Sequence, residues 1–249
     1  MSSKVHMRVF RGDATCGHFE DHHVDVDEGM VVLDVIHRIQ ADHSHDLACR
    51  WNCKAGKCGS CSAEVNGYPR LMCMTRMDLF KPGEVITVRP LQTFPLVRDL
   101  VTDVSWNFEV NKKIPPVRPR EKNPDGTWRM MQYETDRVQE FRKCIECFLC
   151  QDVCHVLRNH GKFEEFFGPR FMVRIAGLEM HPFDDEDRLR LLRETAGIGY
   201  CNITKCCTEV CPEDIRITDN AIIPLKERVA DRYYDPLAAL FRRMRGKNP

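Results

Sequence analysis

Apolar and polar residues alternate along the first part of the chain. The alternation covers Lys4–Phe10 and returns over His22–Val26. A side-chain period of two is typical of strands with one buried face. The pattern therefore predicts two paired strands at the start of the chain.

A helical spacing of apolar residues follows the turn at 27–29 and reaches about Ala41; it is carried by Val32, Val35, Ile36 and Ile39. The dipeptide Asn66-Gly67 then predicts a hairpin, because both residues tolerate the positive φ of a tight turn. Val85–Val88 supplies a last strand before Pro90. We predict a sheet crossed by one helix, in a domain ending near residue 105.

The segment 106–132 mixes charges with four prolines and has no sustained period. Such a composition is typical of a linker between domains. The sequence thus predicts a domain over 1–105, a linker over 106–132 and a second domain over 133–249.

The second domain has helical periodicity throughout. Tyr133–Arg142 and Phe171–Glu179 read as helices, the latter preceded by Pro169 in a position that a first helical turn tolerates. A further helix carries Leu189 and Leu192, with Asp184 and Asp185 as candidate caps and Gly197 as its stop. The last apolar stripe runs through Ile222, Leu225, Val229 and Tyr233, with Pro224 in the first turn if the helix begins near Asn220.

Charge and composition narrow the class of protein. The 249 residues carry 37 basic and 37 acidic side chains, so nothing in the charge balance calls for nucleic acid. The start, Met-Ser-Ser-Lys, has no apolar segment before a cleavage site, and no run of about 18 apolar residues occurs. We expect a chain that is not exported and that reaches a membrane only through partners. In such a compartment, 14 clustered cysteines favour metal over disulfides.

One cysteine run has the spacing C-x2-C-x2-C-x3-C, formed by Cys144, Cys147, Cys150 and Cys154. In two-cluster ferredoxins the first three cysteines of this run bind one cubane and the fourth binds the other cluster. A second run occurs downstream, with Cys201, Cys207 and Cys211 followed by Pro212, and with Thr204 where a cysteine would complete the pattern. One corner of one cluster therefore lacks its thiolate.

An earlier group, Cys53, Cys58, Cys61 and Cys73, has the spacing C-x4-C-x2-C-x11-C of plant-type [2Fe-2S] ferredoxins. Its small residues, such as Gly56 and Gly59, allow backbone N–H groups to approach cluster sulfurs. Zinc is the rival, but a glycine-rich C-x4-C followed by a distant lone cysteine fits paired zinc knuckles poorly.

These motifs, their order and the Thr204 gap together resemble the iron-sulfur subunits of succinate dehydrogenase and fumarate reductase, over nearly the whole chain. The resemblance implies an α+β protein, with an N-terminal β-grasp plant-type [2Fe-2S] ferredoxin domain followed by an all-helical domain resembling bacterial ferredoxins. It implies that the cluster ligands are Cys53, Cys58, Cys61 and Cys73 for [2Fe-2S]; Cys144, Cys147, Cys150 and Cys211 for [4Fe-4S]; and Cys154, Cys201 and Cys207 for [3Fe-4S].

The resemblance also implies a function. Electrons taken from succinate by FAD in a separate catalytic subunit would pass through the three clusters to quinone at a membrane-anchor subunit. This chain would then hold no catalytic residue, and the FAD, the quinone and any haem would lie on or near partner subunits. The sequence has no G-x-G-x-x-G after a strand, as expected if the dinucleotide belongs to the partner. The location implied is peripheral, on the cytoplasmic face of the cell membrane.

Near the proposed exit for electrons the sequence departs from ubiquinone-linked members of the family. Those commonly have Pro, a Trp pair and His where this chain has His155, Arg158 with Asn159, and Asn202. The changed set is more similar to menaquinone-linked members. We expect the loop His155–His160 to face the anchor, with a solvated surface loop as the alternative. The tail Leu237–Met244 could dock at the same membrane or be a solvated helix end.

Other functions remain open on the sequence. Fumarate reduction would run the same chain of clusters in reverse. An iron-sulfur subunit of another flavoprotein, such as a glycolate oxidase or heterodisulfide reductase type, shares the single motifs. A freestanding ferredoxin-like carrier is disfavoured because it would need little beyond its cysteine loops.

Three cysteines stand outside the ligand sets. We interpret Cys16 as an ordinary thiol, Cys49 as a buried thiol and Cys206 as a packed small residue beside a ligand. The paired histidines His22-His23 and His43/His45 lack the spacing of a metal site and are interpreted as exposed loop histidines.

Overall fold

The computed structural model describes residues 3–236. Its strands are β1 (Ser3–Gly12), β2 (Gly17–Val26), β3 (Ser62–Val65), β4 (Tyr68–Leu71), β5 (Val85–Arg89), β6 (Leu96–Arg98) and β7 (Val101–Thr102). Five of them form a sheet in the spatial order β2-β1-β5-β3-β4, and a separate ribbon pairs β6 with β7. Strands β1 and β5 are parallel, and the other pairs are antiparallel. The strands predicted from alternation are confirmed. The interpretation of His22-His23 as exposed loop histidines is wrong, because both residues lie in β2 and His22 is on the face of that strand that is buried with Val24 and Val26.

The hairpin between β3 and β4 turns at Asn66 and Gly67, as predicted. Both residues have positive φ, 51° and 75°. A two-residue turn with positive φ at both positions matches the right-handed twist of the flanking strands, and asparagine and glycine adopt it at low cost. The turn fixes the register that brings Cys61 and Cys73 to the same end of the hairpin, since Ser62 pairs with Leu71.

Helix α1 (Val32–Asp42) packs against β2 and covers one face of the sheet. Its buried residues are Val32, Leu33, Val35, Ile36 and Ile39. They lie three or four positions apart, so one stripe of the helix faces the core. The Asp34 carboxylate accepts a hydrogen bond from the Val31 N–H and satisfies a donor at the helix start. The predicted helix is confirmed.

The remaining helices are short and belong to the second half of the chain, apart from α2. They are α2 (Ser105–Lys112), α3 (Gln132–Gln139), α4 (Leu149–Asp152), α5 (His155–Arg158), α6 (Pro169–Glu179), α7 (Leu189–Glu194), α8 (Cys206–Glu209) and α9 (Ile223–Tyr233). Three 3₁₀ turns, at Met77–Leu79, Glu140–Lys143 and Ile198–Tyr200, and a π-helix at Ile217–Ile222 complete the described elements. The α+β class is confirmed.

Helix α6 is the central element of the helical part. Its fully buried side chains include Phe171, Met172 and Ile175, and it packs against the π-helix. Pro169 occupies the first turn, where its missing N–H costs no helical hydrogen bond. The predicted apolar stripe of α9 is present, with Leu225 and Val229 buried.

One predicted cap is wrong. The N–H of Leu189, at the start of α7, is hydrogen-bonded by the Asp187 carboxylate rather than by Asp184 or Asp185. Asp184 instead forms an ion pair of 2.9 Å with Arg188, and both side chains are fully buried. The other oxygen of the Asp184 carboxylate accepts hydrogen bonds from the N–H groups of Arg118 and Glu186, both at 3.0 Å. The carboxylate is therefore engaged by groups that precede α7.

Arg188 holds the proline-rich segment in place. Its guanidinium donates hydrogen bonds to the carbonyls of Pro115 and Pro116, at 3.0 and 2.6 Å. Helix α2 begins just before the predicted linker and covers its first part. The segment after α2 is irregular, as its prolines suggest. Backbone hydrogen bonds of 2.9 Å, from the Arg120 N–H to the Phe183 carbonyl and from the Asp185 N–H to the Arg118 carbonyl, fix its position.

The chain divides into two compact units that interleave along the sequence. One contains Met1–Trp106, Ile145–Val153 and Val210–Pro212, and the other contains Asn107–Cys144, Cys154–Glu209 and Glu213–Pro249. The predicted division at residues 105 and 132 stays a prediction. Within residues 3–236, no helix combines the length and the apolar character needed to cross a bilayer. The predicted docking tail Leu237–Met244 lies outside the described residues.

Candidate iron-sulfur centres

The first cysteine loop connects α1 to β3 and has no regular secondary structure. Lys54, Gly56 and Gly59 have positive φ, between 53° and 68°. This backbone turns N–H groups inward, and those of Ala55 and Lys57 point at the Cys53 sulfur from 3.4 and 3.3 Å. N–H groups converging on a sulfur stabilise a thiolate and are typical of cluster-binding loops.

The other cysteines of this group interact closely. The pKa of Cys61 is raised to about 12, chiefly by burial and with smaller contributions from the neighbouring Cys73 and Cys58, against an opposing hydrogen bond from the Cys73 N–H. Burial also acts to raise the pKa of Cys58, but hydrogen bonds from Ser60 and Cys53 outweigh it and lower the pKa to about 7. The Cys58 thiol is therefore easily ionised, whereas the Cys61 thiol ionises only when a metal replaces its proton.

Cys49 stands apart from this group. Burial raises the pKa of its thiol to about 12, and its sulfur contacts the Arg50 carbonyl at 3.7 Å. A neutral, half-buried thiol is the state expected of a structural cysteine. Cys49 is thus a partly buried thiol rather than the buried one predicted.

The central run winds tightly. Glu146 and Phe148 have positive φ, 57° and 61°, although neither is glycine. Cys147 and Cys150 are buried, with 9% and 8% of their surface exposed. Left-handed non-glycine residues cost energy and persist where the surroundings require them, here in the loop that carries Cys147 and Cys150.

The distant Cys211 belongs to the same compact unit as this loop. The unit contains both Ile145–Val153 and Val210–Pro212, which are far apart in the sequence. Cys144 is the last residue of Asn107–Cys144, a segment of the other unit. The fold thus groups Cys147, Cys150 and Cys211, and separates the last of these from its sequence neighbour Cys207.

The third group lies in the second unit. The pKa of Cys154 is raised to about 11 and that of Cys207 to about 12, chiefly by burial, with smaller contributions from the neighbouring Cys206 and Cys201. Cys206 therefore lies close enough to interact electrostatically with two of the three predicted ligands, Cys154 and Cys207, as does the third ligand, Cys201. Ile203 and Lys205, which lie between Cys201 and Cys206 in the sequence, each have a positive φ of 64°.

Thr204, at the position of the missing thiolate, lies beside Cys206. The Thr204 hydroxyl and the Cys206 sulfur are 3.3 Å apart. Two further threonines join the group, because Thr208 hydrogen-bonds Thr218 at 3.2 Å and Thr218 lies 3.5 Å from the Cys207 sulfur. Sequence reasoning missed Thr218, since it lies beyond the last cysteine and no motif marks it.

The segment His155–His160, predicted as a loop, follows Cys154 directly, and its first four residues form helix α5. Its first turn is anchored by Val156 and Leu157, which are buried, while Asn159 and His160 are exposed. The rings of His155 and His160 meet edge to face, with centroids 6.1 Å apart. The loop therefore presents polar side chains next to the third group of cysteines.

The donor set fits iron-sulfur clusters. All the candidate ligands are thiols, the first loop directs amides at sulfur, and buried thiols of raised pKa lose their protons when iron binds.

Two family models match the chain. The model of the 2Fe-2S iron-sulfur cluster binding domain matches residues 5–109, and that of the 4Fe-4S dicluster domain matches residues 140–215. The fumarate reductase iron-sulfur subunit of Mycobacterium tuberculosis is 31% identical over 79% of this chain and 80% of its own length. The chain belongs to the iron-sulfur subunit family of succinate dehydrogenases and fumarate reductases.

Other members of this family are similar as well. The succinate dehydrogenase iron-sulfur subunit of Bacillus subtilis is 31% identical over 67% of this chain and 66% of its own length. A chain of the Mycobacterium smegmatis Sdh1 complex in the apo form is 61% identical, covers 95% of this chain and 100% of that chain, and superposes with a TM-score of 0.92. This family member thus carries a 2Fe-2S domain followed by a 4Fe-4S dicluster domain.

Proposed function

We propose that this chain is the iron-sulfur electron-transfer subunit of a succinate:quinone oxidoreductase. The observation that carries the proposal is the 61% identity over 95% of the chain to a chain of the Mycobacterium smegmatis Sdh1 complex. The three cysteine groups, in their order along the chain, support it. The mixed sheet with α1 packed on it supports the β-grasp description of the first domain.

We assign three clusters to three cysteine sets. The ligands are Cys53, Cys58, Cys61 and Cys73 for [2Fe-2S]; Cys144, Cys147, Cys150 and Cys211 for [4Fe-4S]; and Cys154, Cys201 and Cys207 for [3Fe-4S]. When bound, each cluster accepts and releases one electron. The grouping of Cys147 and Cys150 with Cys211 in one unit supports ligation across the two runs.

The protein contributes three things to this chemistry. Its thiolates hold the iron, and its buried surroundings keep water from the ligands Cys61, Cys150 and Cys207. Its backbone N–H groups at Cys53 offset the negative charge that a reduced cluster adds. No residue of the chain acts on succinate, so dehydrogenation belongs to a FAD-containing partner.

The partners follow from this role. An electron carrier of this type needs a flavoprotein donor and a membrane-anchor acceptor, and we infer that the complex holds this chain at the cytoplasmic face of the cell membrane. The residues His155, Arg158 and Asn202 favour menaquinone as the final acceptor. Fumarate reduction by the same complex is the alternative direction, since several relatives are fumarate reductase subunits.

Purification of the complex tests the proposal. A tag on this chain should recover a larger flavoprotein and a membrane anchor, and the assembly should oxidise succinate with a quinone acceptor. EPR spectra should contain signals from all three clusters. Recovery of the chain alone, or of a flavoprotein complex that oxidises glycolate but not succinate, would contradict the proposal.

The role of the loop His155–His160 needs its own experiment. We expect Arg158→Ala combined with His160→Ala to slow succinate-to-quinone activity and to leave reduction of a soluble dye by succinate unchanged, because the dye takes electrons upstream. Arg190→Ala, at a side chain 80% exposed on α7, is the control and should change neither activity. Equal loss of both activities, or of neither, removes the loop from the quinone site.

A further inference from the structure

Gly59 brings the first cysteine loop into contact with the central run. A Cβ atom at residue 59 would lie 2.6 Å from the Cα of Cys147 and 2.9 Å from its Cβ. Gly59 also has a φ of 68°, which side chains other than glycine rarely adopt. Two independent constraints, space and backbone conformation, therefore require glycine at this point.

Ser62 adds a hydrogen bond to the same contact. Its hydroxyl lies 2.9 Å from the Cys147 carbonyl and 2.8 Å from the Gly59 carbonyl. A hydroxyl has one proton, so the two carbonyls share it. Ser62 directly follows the candidate [2Fe-2S] ligand Cys61. Its hydrogen bond therefore connects the backbone beside Cys61 to the carbonyl of the candidate [4Fe-4S] ligand Cys147.

The central run is also held to this unit by contacts that do not involve the first loop. The Phe94 and Phe148 rings meet edge to face at 6.1 Å. Thr93 donates from its N–H and from its hydroxyl to Asp152, at 3.0 and 2.9 Å. Loss of the Ser62 hydroxyl would therefore leave the segment attached to the unit.

We propose that Gly59 and Ser62 are positioning residues that couple the [2Fe-2S] loop to the [4Fe-4S] loop, and that the Ser62–Cys147 hydrogen bond is the electron route between them. The proposal rests on the proposed function and its ligand sets. With both clusters bound, one electron would leave the reduced [2Fe-2S] centre through Cys61 and would reach the oxidised [4Fe-4S] centre through Cys147. No covalent bond forms or breaks, and no proton moves.

The route contains only one step that is not a covalent bond. It follows the backbone from Cys61 to Ser62, crosses one hydrogen bond, and enters the Cys147 residue at its carbonyl. Electron tunnelling decays less steeply through bonds and hydrogen bonds than across empty contacts. A methyl group in place of the hydroxyl leaves a van der Waals gap at this one step.

The experiment uses the assembled complex and rapid-freeze EPR after mixing with succinate. The interval between the appearance of reduced [2Fe-2S] and the loss of the oxidised [3Fe-4S] signal reports the transfer between them. Ser62→Ala should lengthen this interval severalfold. Thr93→Val is the matched control, since it also removes one hydroxyl–carbonyl hydrogen bond to the same segment, and it should keep the wild-type interval.

Two further variants test the same contact. Ser62→Thr keeps a hydroxyl and should retain the wild-type interval. Gly59→Ala should displace the Cys147 backbone and weaken the effect of reduced [4Fe-4S] on the microwave power saturation of the [2Fe-2S] signal. An unchanged interval in Ser62→Ala, or equal lengthening in Ser62→Ala and Thr93→Val, overturns the proposed route.

If Ser62→Ala does not assemble [4Fe-4S], Gly59→Ala decides: unchanged power saturation overturns the coupling, and weakened saturation supports it. Failure of the proposed function looks different. It would appear as missing cluster signals in the wild-type complex, whereas failure of the route alone leaves all three signals intact.

Discussion

The hydroxyl of Thr218 lies 3.5 Å from the sulfur of Cys207, inside the second unit. Thr218 is 1% exposed, and Thr208 donates to it from 3.2 Å, which leaves the Thr218 proton directed at sulfur once Cys207 is a thiolate ligand. A hydrogen bond to a ligand sulfur stabilises the extra electron of a reduced cluster. Thr218 should therefore raise the potential of the third cluster.

Thr218→Val should lower the midpoint potential of the [3Fe-4S] centre, as measured by an EPR-monitored redox titration. Thr75→Val is the control, since Thr75 is also a buried threonine, bonded to the Leu71 carbonyl in the other unit. It should leave that potential unchanged. A [3Fe-4S] potential that stays at the wild-type value in Thr218→Val would show that the hydroxyl is only structural.

Cys211→Ala should remove the [4Fe-4S] signal and leave the [2Fe-2S] signal intact. The reason is that Cys211 shares a compact unit with Cys147 and Cys150 although it follows the third group in sequence. EPR spectra of the dithionite-reduced complex provide the measurement. Loss of the [2Fe-2S] signal alone would contradict the ligand assignment.

Cys206→Ala should leave a [3Fe-4S] signal in the oxidised complex. A threonine hydroxyl is a poor iron ligand, so the Thr204 corner stays without iron even though Cys206 lies beside it. The alternative outcome is specific. If the wild-type complex shows only [4Fe-4S] signals and Cys206→Ala converts one of them to the 3Fe form, Cys206 is a ligand.

Asp99→Ala should destabilise the first unit by about 3 kcal/mol, the usual cost of removing one partner from a buried ion pair. The Asp99 carboxylate is 2% exposed and accepts hydrogen bonds from the N–H groups of Gly12 and Ala48, at 2.9 and 2.8 Å. It also pairs with Arg11 at 3.3 Å. Ala48 immediately precedes Cys49, so this carboxylate holds the start of the cysteine loop.

Thermal loss of the visible circular dichroism of the [2Fe-2S] centre would measure this effect. For a chain of this length, a cost of this size predicts a midpoint lower by roughly 6–12 °C. Asp21→Ala, at a half-exposed carboxylate paired with His6, is the control and should shift the midpoint far less. Equal shifts in both variants would contradict a special role for Asp99.

Stability should fall as the pH drops below about 6.5, the ordinary histidine pKa. Burial lowers the pKa of His22; Glu20 and Asp21 oppose the shift, and His43 and Arg11 add to it. A histidine whose folded pKa is depressed binds fewer protons in the folded state. Its contribution is therefore complete above the unfolded pKa and is lost as the pH falls through the folded pKa.

His22→Gln should flatten this dependence, as measured by the thermal midpoint between pH 7.5 and 5. Burial shifts the pKa values of His37 and His181 in the same direction, so part of the slope should remain. The difference between variant and wild type should grow towards acid. A parallel offset at every pH would mean that His22 matters only for packing.

Local features of the sequence predicted much of the fold. The alternation in β1, the Asn66-Gly67 turn and the apolar stripe of α1 each depend on neighbours within a few residues, and each is confirmed. The cap of α7 could not be assigned in this way, because the Asp184 carboxylate is engaged by the Arg188 guanidinium and by the N–H groups of Arg118 and Glu186. The units also interleave along the chain, which no composition change at residue 105 or 132 reveals.

The sequence by itself determined which residues are candidate ligands, because ligand type and spacing are local properties of a loop that wraps a cluster. Only the tertiary structure decided what surrounds the sulfurs. Ser62 beside Cys147 and Thr218 beside Cys207 join residues that lie in different elements. Such hydrogen bonds depend on how strands and helices pack, and packing is a property of the whole chain rather than of any motif.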